Sequence, residues 1–147
     1  MSWESSAECA EIQKALKKVS SRPPPVQQNH VQAVVELAIK KAKFYKGITF
    51  ELERFLRKGR LEYKVPGLYL INAVCAASKK TFLDNDKYVP RFMHKGFPAL
   101  ETLRDCSSED KATVTKVLDH WASGRLFPDD FVQRVARAIG VQLGAPP

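Results

Sequence analysis

An aromatic ring, an amide and an alanine fall on the same side of a helix predicted near the middle of the chain. The apolar run from Val65 to Ala77 is interrupted by only one strongly polar side chain, Asn72. At about 100° per residue, Tyr69, Asn72 and Ala73 share one side of this helix, and the opposite side is largely apolar. A tyrosine offers apolar contact, and an amide offers a hydrogen-bond donor and an acceptor. These residues indicate a binding surface, unless the tyrosine and the amide satisfy each other or a neighbouring backbone group.

Lys116, on a later predicted helix, is a candidate for binding an anion. Val114, Leu118 and Trp121 belong to the apolar stripe of that helix, and Lys116 points about 160–200° away from Val114 and Leu118. An ammonium group in this position can form a charge-assisted bond with a phosphate. The alternative is a lysine that only contributes to solubility.

A basic cluster lies at the end of the third predicted helix. It consists of Arg54, Arg57, Lys58 and Arg60. Such a cluster is either a solvated positive face or a patch that binds RNA or another phosphate-bearing anion. The sequence contains no aromatic motif of the kind that reads RNA sequence in RNA-recognition domains, so the pattern does not choose between the two.

The sequence gives little support for catalysis or for a bound metal. His30, His94 and His120 lie far apart, and none has the spacing of a metal-binding motif. Paired carboxylates occur only at predicted helix starts, where the helix dipole accounts for them. The three cysteines are widely spaced, which fits neither a disulfide framework nor a zinc site and predicts reduced thiols. We therefore predict a protein that is not an enzyme and has no catalytic residue, metal or cofactor.

The composition is that of one soluble domain. The 147 residues are 44% hydrophobic and 27% charged, which is ordinary for a globular protein. The formal net charge of +8 indicates an acidic partner, such as RNA, a phosphorylated peptide or an anionic membrane surface.

Helical periodicity must position all of these candidate residues, because no run of alternating β-branched residues predicts a strand. We predict helices over Ser6–Val19, from Asn29 to a terminus at Gly47, over Thr49–Lys58, from Pro66 to Lys80, from Asp84 to Gly96, over Ala99–Arg104, from Ser107 to Gly124 and from Asp129 to Ile139. About eight helices with short loops favour an all-α, right-handed superhelical stack over a four-helix bundle. We place the domain at residues 1–140 and a frayed tail or the start of a linker at 141–147.

Several segments of this sequence closely resemble the CTD-interacting domain, which binds the C-terminal heptad repeats of the largest subunit of RNA polymerase II. The resemblance is strongest to the SR-related CTD-associated factors. It rests on Lys43–Lys46, Tyr63–Ile71, Glu109–Lys111, Lys116–Leu118 and Trp121. It implies a right-handed superhelix of eight helices, similar in shape to VHS and ENTH domains, with the peptide in a groove.

The same resemblance implies roles for individual residues. The tyrosine at the position of Tyr69 lines the groove, and the residue at the position of Asn72 hydrogen-bonds the peptide. The residue at the position of Lys116 contacts the phosphate on the second serine of the heptad. Ala73, which stands where the family usually has a serine, belongs to the same expected peptide-binding set. His30 completes the set, because the loop before the second helix helps the peptide to dock.

Three positions and one loop depart from the family pattern. Asn72 replaces an aspartate, Ala73 replaces a serine, and Lys116 replaces an arginine. The loop that ends at His30 is also more neutral than expected. An amide accepts a hydrogen bond without a full charge, and a lysine lacks the two-pronged geometry of arginine. The changes predict either weak binding of the phosphorylated heptad or a partner that differs from the usual repeat.

We therefore predict a nuclear binding module, monomeric as an isolated domain, for the phosphorylated repeats of RNA polymerase II. It would recruit an RNA-processing or transcription-termination factor. The alternative is a membrane-trafficking adaptor of the VHS or ENTH type. We expect no membrane binding, because the N-terminal helix mixes glutamates with its lysines. RNA binding through the basic cluster is a third expectation, compatible with the first.

Overall fold

The computed structural model describes residues 2–144, and within this range all regular secondary structure is helical, with no strand. Its helices are α1 (Ala7–Val19), α2 (Gln28–Lys40), α3 (Tyr45–Lys58), α4 (Lys64–Phe82), α5 (Tyr88–Lys95), α6 (Phe97–Glu101), α7 (Ser108–Ser123) and α8 (Asp129–Ile139). Short 3-10 turns cover Trp3–Ser5, Ala42–Phe44, Leu61–Tyr63, Leu83–Asn85 and Thr102–Asp105. The predicted all-α fold of about eight helices is confirmed.

The central element is α4, which packs against α2, α3, α5 and α7. Its apolar side chains Leu68, Ile71 and Val74 are buried, as the helical periodicity predicted. Cys75 is buried as well, and this burial raises the pKa of its thiol well above the ordinary value. A helix surrounded in this way has little freedom to move, so the backbone positions from which its exposed side chains extend are fixed.

The first turn of α4 is joined to the end of α3 by a buried lysine. Lys64 is only 4% exposed, and its ammonium group donates to the carbonyl oxygens of Leu56 (2.6 Å) and Arg57 (3.1 Å) and to the hydroxyl of Thr102 (3.1 Å). Burial lowers the pKa of Lys64. The carbonyls at a helix C-terminus lack intrahelical partners and form the negative pole of the dipole, so a cation is favourable there.

The boundary predicted between the second and third helices was wrong. The second helix ends at Lys40 rather than at Gly47, and α3 begins at Tyr45 rather than at Thr49. Gly47 lies in the first turn of α3, and its lack of a side chain makes room for Trp3, since an added Cβ atom would come within 2.2 Å of the indole. Apolar residues at helical spacing continue through the 3-10 turn, so periodicity alone could not reveal the break.

The chain beyond α8 turns back toward the helices as far as it is described. The amide of Val141 donates to the carbonyl of Ala136 (3.0 Å), and the amide of Gly144 donates to the carboxylate of Asp119 (3.0 Å). Residues 145–147, the end of the predicted tail, lie outside the described residues, as does Met1. The domain boundary at residue 140 therefore stays a prediction.

We expect Lys64→Met to lower the free energy of unfolding by about 2 kcal/mol, because it leaves two carbonyl groups at the end of α3 without their charged donor. Urea denaturation would measure the change. Lys58→Met is the matched control, since Lys58 is an exposed lysine in the last turn of α3, where the carbonyl groups that Lys64 contacts also lie. It should alter the free energy of unfolding by less than about 0.5 kcal/mol. Equal losses in the two variants would show that the contacts of Lys64 do not stabilise the fold.

Candidate peptide-binding site

Tyr69 protrudes from the otherwise buried helix α4. Its side chain is 41% exposed, whereas its neighbours Leu68 and Leu70 are buried. The ring borders a shallow pocket of about 230 Å³ between α4 and α7. The pocket is lined by Tyr69 and Asn72 of α4 and by Thr113, Lys116, Val117 and His120 of α7. The fold thus brings three of the predicted site residues, Tyr69, Asn72 and Lys116, to one place.

Asn72 forms a hydrogen bond across the two helices. The indole Nε1 of Trp121 donates to its Oδ1 atom at 2.8 Å, and Trp121 is fully buried. An indole N–H is a donor only, so this bond fixes which end of the amide faces Trp121. Among the described residues, Tyr69 and Asn72 do not hydrogen-bond to each other, because the partner of Asn72 is Trp121. Among the residues described, the N–H₂ group of Asn72 has no hydrogen-bond partner, which leaves it as a donor beside the pocket.

Lys116 is exposed on α7, and no ion pair within residues 2–144 involves it. Val114, Leu118 and Trp121 on the opposite side of α7 are buried, as predicted. The pocket contains no carboxylate, so Lys116 gives it a positive charge. An ammonium group without a competing acid is suited to an incoming phosphate.

Thr113 and His120 were missed by the sequence analysis. They lie three residues before and four residues after Lys116, and both line the pocket with it. Residues at these spacings share one face of a helix, so the signal was present once Lys116 had been chosen. A hydroxyl group and an imidazole add two further hydrogen-bonding groups to this edge of the pocket.

The other two residues predicted for the peptide site do not line this pocket. His30 is partly exposed in the first turn of α2. Ala73 is partly buried and packs against the hydrophobic core. Their assignment to a peptide site stays a prediction.

The basic cluster lies elsewhere on the molecule, and its members differ in surroundings. Arg57 pairs with Glu53 (3.6 Å), and Arg54 approaches Glu51 (3.8 Å). Arg54, Lys58 and Arg60 line a separate groove, which Arg57 does not. The cluster in the sequence is therefore divided in the fold.

The described residues contain no group of three or more His, Cys, Asp and Glu side chains that could hold a metal ion. In the same part of the chain, no helix has the length and apolar character needed to cross a membrane. The thiols of Cys9 and Cys106 are buried, and this burial raises the pKa of both.

The described residues thus form a stack of short helices with an exposed tyrosine, an amide and a cation around a shallow pocket. Comparison with known proteins identifies the class. The family model of the CID domain matches residues 10–135, and the chain belongs to this family. This membership supports the resemblance found in the sequence and favours it over the VHS or ENTH adaptor.

Two kinds of relative are similar to the chain. SR-related and CTD-associated factor 8 of Homo sapiens is 30% identical over 133 residues, which are 90% of this chain and 10% of that protein. SR-related and CTD-associated factor 4 of Homo sapiens is 34% identical over 125 residues, which are 84% of this chain and 11% of that protein. The chain thus spans about a tenth of the length of these relatives.

A solved structure is similar in fold. The crystal structure of the yeast Nrd1 CID in complex with Sen1 NIM1 superimposes with a TM-score of 0.79, and the match covers 87% of this chain and 96% of that chain. The sequence identity is 13%, so the likeness concerns the fold alone.

The hydrogen bond between α4 and α7 generates a prediction for stability. Asn72→Ala should lower the free energy of unfolding by about 1–3 kcal/mol, because it leaves the indole N–H of Trp121 without an acceptor. Asn72→Asp is the matched control, since a carboxylate can still accept this bond and should retain most of the stability. Both are measured by urea denaturation. If the two variants were equally destabilised, the bond to Trp121 would not be the reason.

Proposed function

We propose that this domain binds the phosphorylated heptad repeats at the C-terminus of the largest subunit of RNA polymerase II. The observation that supports this most directly is the meeting of Tyr69 and Asn72 with Lys116 at one pocket, although more than forty residues separate them in the sequence. Membership of the CID family supports the same partner.

The pocket suggests how each residue would act on the peptide. The exposed ring of Tyr69 would pack against a tyrosine or a proline of the repeat. Lys116 would bind the phosphate by a charge-assisted hydrogen bond, with the hydroxyl of Thr113 and the ring of His120 within the same pocket. Asn72 would donate from its N–H₂ group to a peptide carbonyl or to the phosphate, since Trp121 already occupies its oxygen.

Binding to a single repeat should be modest. One heptad offers little contact area, and ordering a disordered tail costs several kcal/mol of the gross interaction. Lysine binds phosphate as a point charge, without the bidentate geometry of arginine. Tandem repeats would compensate, because linked sites raise the effective concentration.

The wider role follows from this partner. A domain that binds the polymerase tail would act in the nucleus, without catalysis, by recruiting an RNA-processing or transcription-termination factor to the elongating enzyme. The human relatives are named as CTD-associated factors, and this supports the proposal. We expect the isolated domain to be a monomer.

The test is a titration with peptides of two heptads that are unphosphorylated, phosphorylated on the second serine or phosphorylated on the fifth serine. Fluorescence anisotropy should show tighter binding of at least one phosphorylated peptide than of the unphosphorylated one. No binding of any of them at millimolar concentration would exclude the proposed partner.

Variants at residue 116 test the phosphate contact. Lys116→Ala should weaken binding of the phosphorylated peptide about fivefold to tenfold, close to 1 kcal/mol, and should leave the unphosphorylated peptide unaffected. Lys116→Arg should strengthen binding of the phosphorylated peptide only, because a guanidinium can donate two hydrogen bonds at once to a phosphate. Lys87→Ala removes an exposed lysine from outside the pocket and serves as the control. Equal losses for both peptides in Lys116→Ala would remove Lys116 from the phosphate contact.

A further inference from the structure

A second concave surface lies on other elements than the peptide pocket. This α1–α3 groove has a volume of about 670 Å³ and lies between α1, the C-terminal half of α3 and the turn that precedes α4. Four cationic side chains line it, Lys17, Arg54, Lys58 and Arg60, together with the rings of Phe55 and Tyr63. Lys17 comes from α1 and extends the cationic surface beyond the cluster that the sequence revealed.

The charges at the rim are available to a ligand. Lys17 and Lys58 are exposed, and neither forms an ion pair with any residue that the structure describes. Arg60 approaches Glu62 at 3.8 Å, but its side chain is 86% exposed. A pair at this distance in solvent is worth little, so Arg60 can exchange it for a stronger anion.

The single carboxylate in the groove, Glu51, has partners of its own. The indole of Trp3 donates to it (3.3 Å), and so does the amide of Gln13 (3.4 Å). Arg54 lies 3.8 Å from the same carboxylate. Because Glu51 is nearly buried and already paired, the accessible part of the groove is positive.

The two rings in the groove are held in place. Phe55 and Tyr63 pack edge to face, with centroids 6.4 Å apart at an angle of 73°. The hydroxyl of Tyr63 donates to the carbonyl oxygens of Ser20 (3.2 Å) and Arg22 (2.7 Å), which ties the ring to the segment after α1. Both rings are partly exposed, so a flat group entering the groove would meet a rigid aromatic surface.

We propose that the α1–α3 groove binds single-stranded nucleic acid, with Lys17, Lys58 and Arg60 on the phosphates and the pair of Phe55 and Tyr63 against a base. Cations on two helices and a turn suit a continuous polyanion. Proteins that bind single strands without sequence preference combine such cations with aromatic side chains on which the bases stack. An acidic peptide would satisfy the charges, but its aspartates and glutamates carry no flat ring to stack on the aromatic pair.

The test measures binding of fluorescein-labelled single strands of twelve nucleotides, one of oligo-uridine RNA and one of oligo-thymidine DNA, by anisotropy at 50 to 200 mM salt. The unchanged domain should bind at least one of them, with an affinity that falls as salt rises. Tighter binding of the RNA would show a contribution from the 2′-hydroxyl, and equal binding would show backbone recognition; both support the proposal. Binding of neither strand at 50 mM salt would overturn it.

Two double variants locate the contact. Lys17→Ala/Lys58→Ala should weaken binding and reduce the slope of log affinity against log salt by about 1 to 1.5, since each phosphate contact contributes about 0.7 for a single strand. Lys87→Ala/Lys95→Ala removes the same charge from exposed lysines outside the groove and should leave the slope unchanged. An unchanged slope in the first variant would overturn the proposal.

Two further measurements separate this proposal from the peptide site. Lys116→Ala should leave nucleic-acid binding unaltered, whatever it does to peptide binding. In NMR titrations, amide signals of residues 54–63 should shift with the oligonucleotide. If they shifted with the phosphorylated heptad peptide and not with the oligonucleotide, an acidic peptide would be the occupant and the proposal would fall.

Discussion

The burial of the ammonium group of Lys64 is the interaction on which the arrangement of the helices depends most. It joins the carbonyl end of α3 to the start of α4 and to the turn after α6 through Thr102. Three residues after Lys64, Gly67 lets α4 approach α3 so closely that an added Cβ would lie 3.2 Å from the Cα of Leu56. The desolvation of a lysine is costly, and three hydrogen bonds offset this cost only if α3 and α4 keep one relative position. Tyr69 and Asn72 follow within two turns, so their positions derive from this junction.

A second polar junction fixes the other end of α4. Ser78 donates to the carboxylate of Asp86, and Asp86 also accepts from the amide of Tyr88 (2.9 Å) at the start of α5. The hydroxyl of Tyr88 donates to the carbonyl of Ala38 in α2 (2.6 Å), and burial raises its pKa. With α4 held at both ends and by Trp121 near its middle, the pocket is formed before any ligand binds. Such preorganisation would confine the ordering cost of binding to the ligand.

The sequence predicted faces of helices well and partners of side chains poorly. The periodicity of α4 placed Tyr69 on the side opposite to its apolar residues, and in the structure Tyr69 is exposed and Ile71 is buried. This prediction is dependable because the angle of about 100° per residue fixes which side chains share a side of a helix. The periodicity could not show that Asn72 accepts from Trp121, since that contact depends on how two distant helices cross. The predicted helix began at Pro66 and left out Lys64, which lies in the first turn of α4 and is buried, because a charged residue gives no periodic signal of burial. The same limit applies to the basic cluster: Arg57 and Lys58 are neighbours in sequence, but Arg57 pairs with Glu53 and only Lys58 lines the α1–α3 groove.

The pairing of Asn72 with Trp121 bears on the type of group that the pocket selects. An aspartate here would accept the indole N–H and still offer a charged acceptor, which favours a hydroxyl donor on the ligand. The oxygen of the Asn72 amide accepts from Trp121, so the group that it offers to a ligand is the N–H₂ donor. The pocket around it has a lysine and no carboxylate. Both features favour a ligand rich in acceptors, such as a phosphate or a peptide carbonyl. If the pocket binds the repeat as proposed, asparagine in place of the family aspartate would shift its preference toward the phosphate, because the N–H₂ group of Asn72 and the ammonium group of Lys116 both attract acceptor atoms.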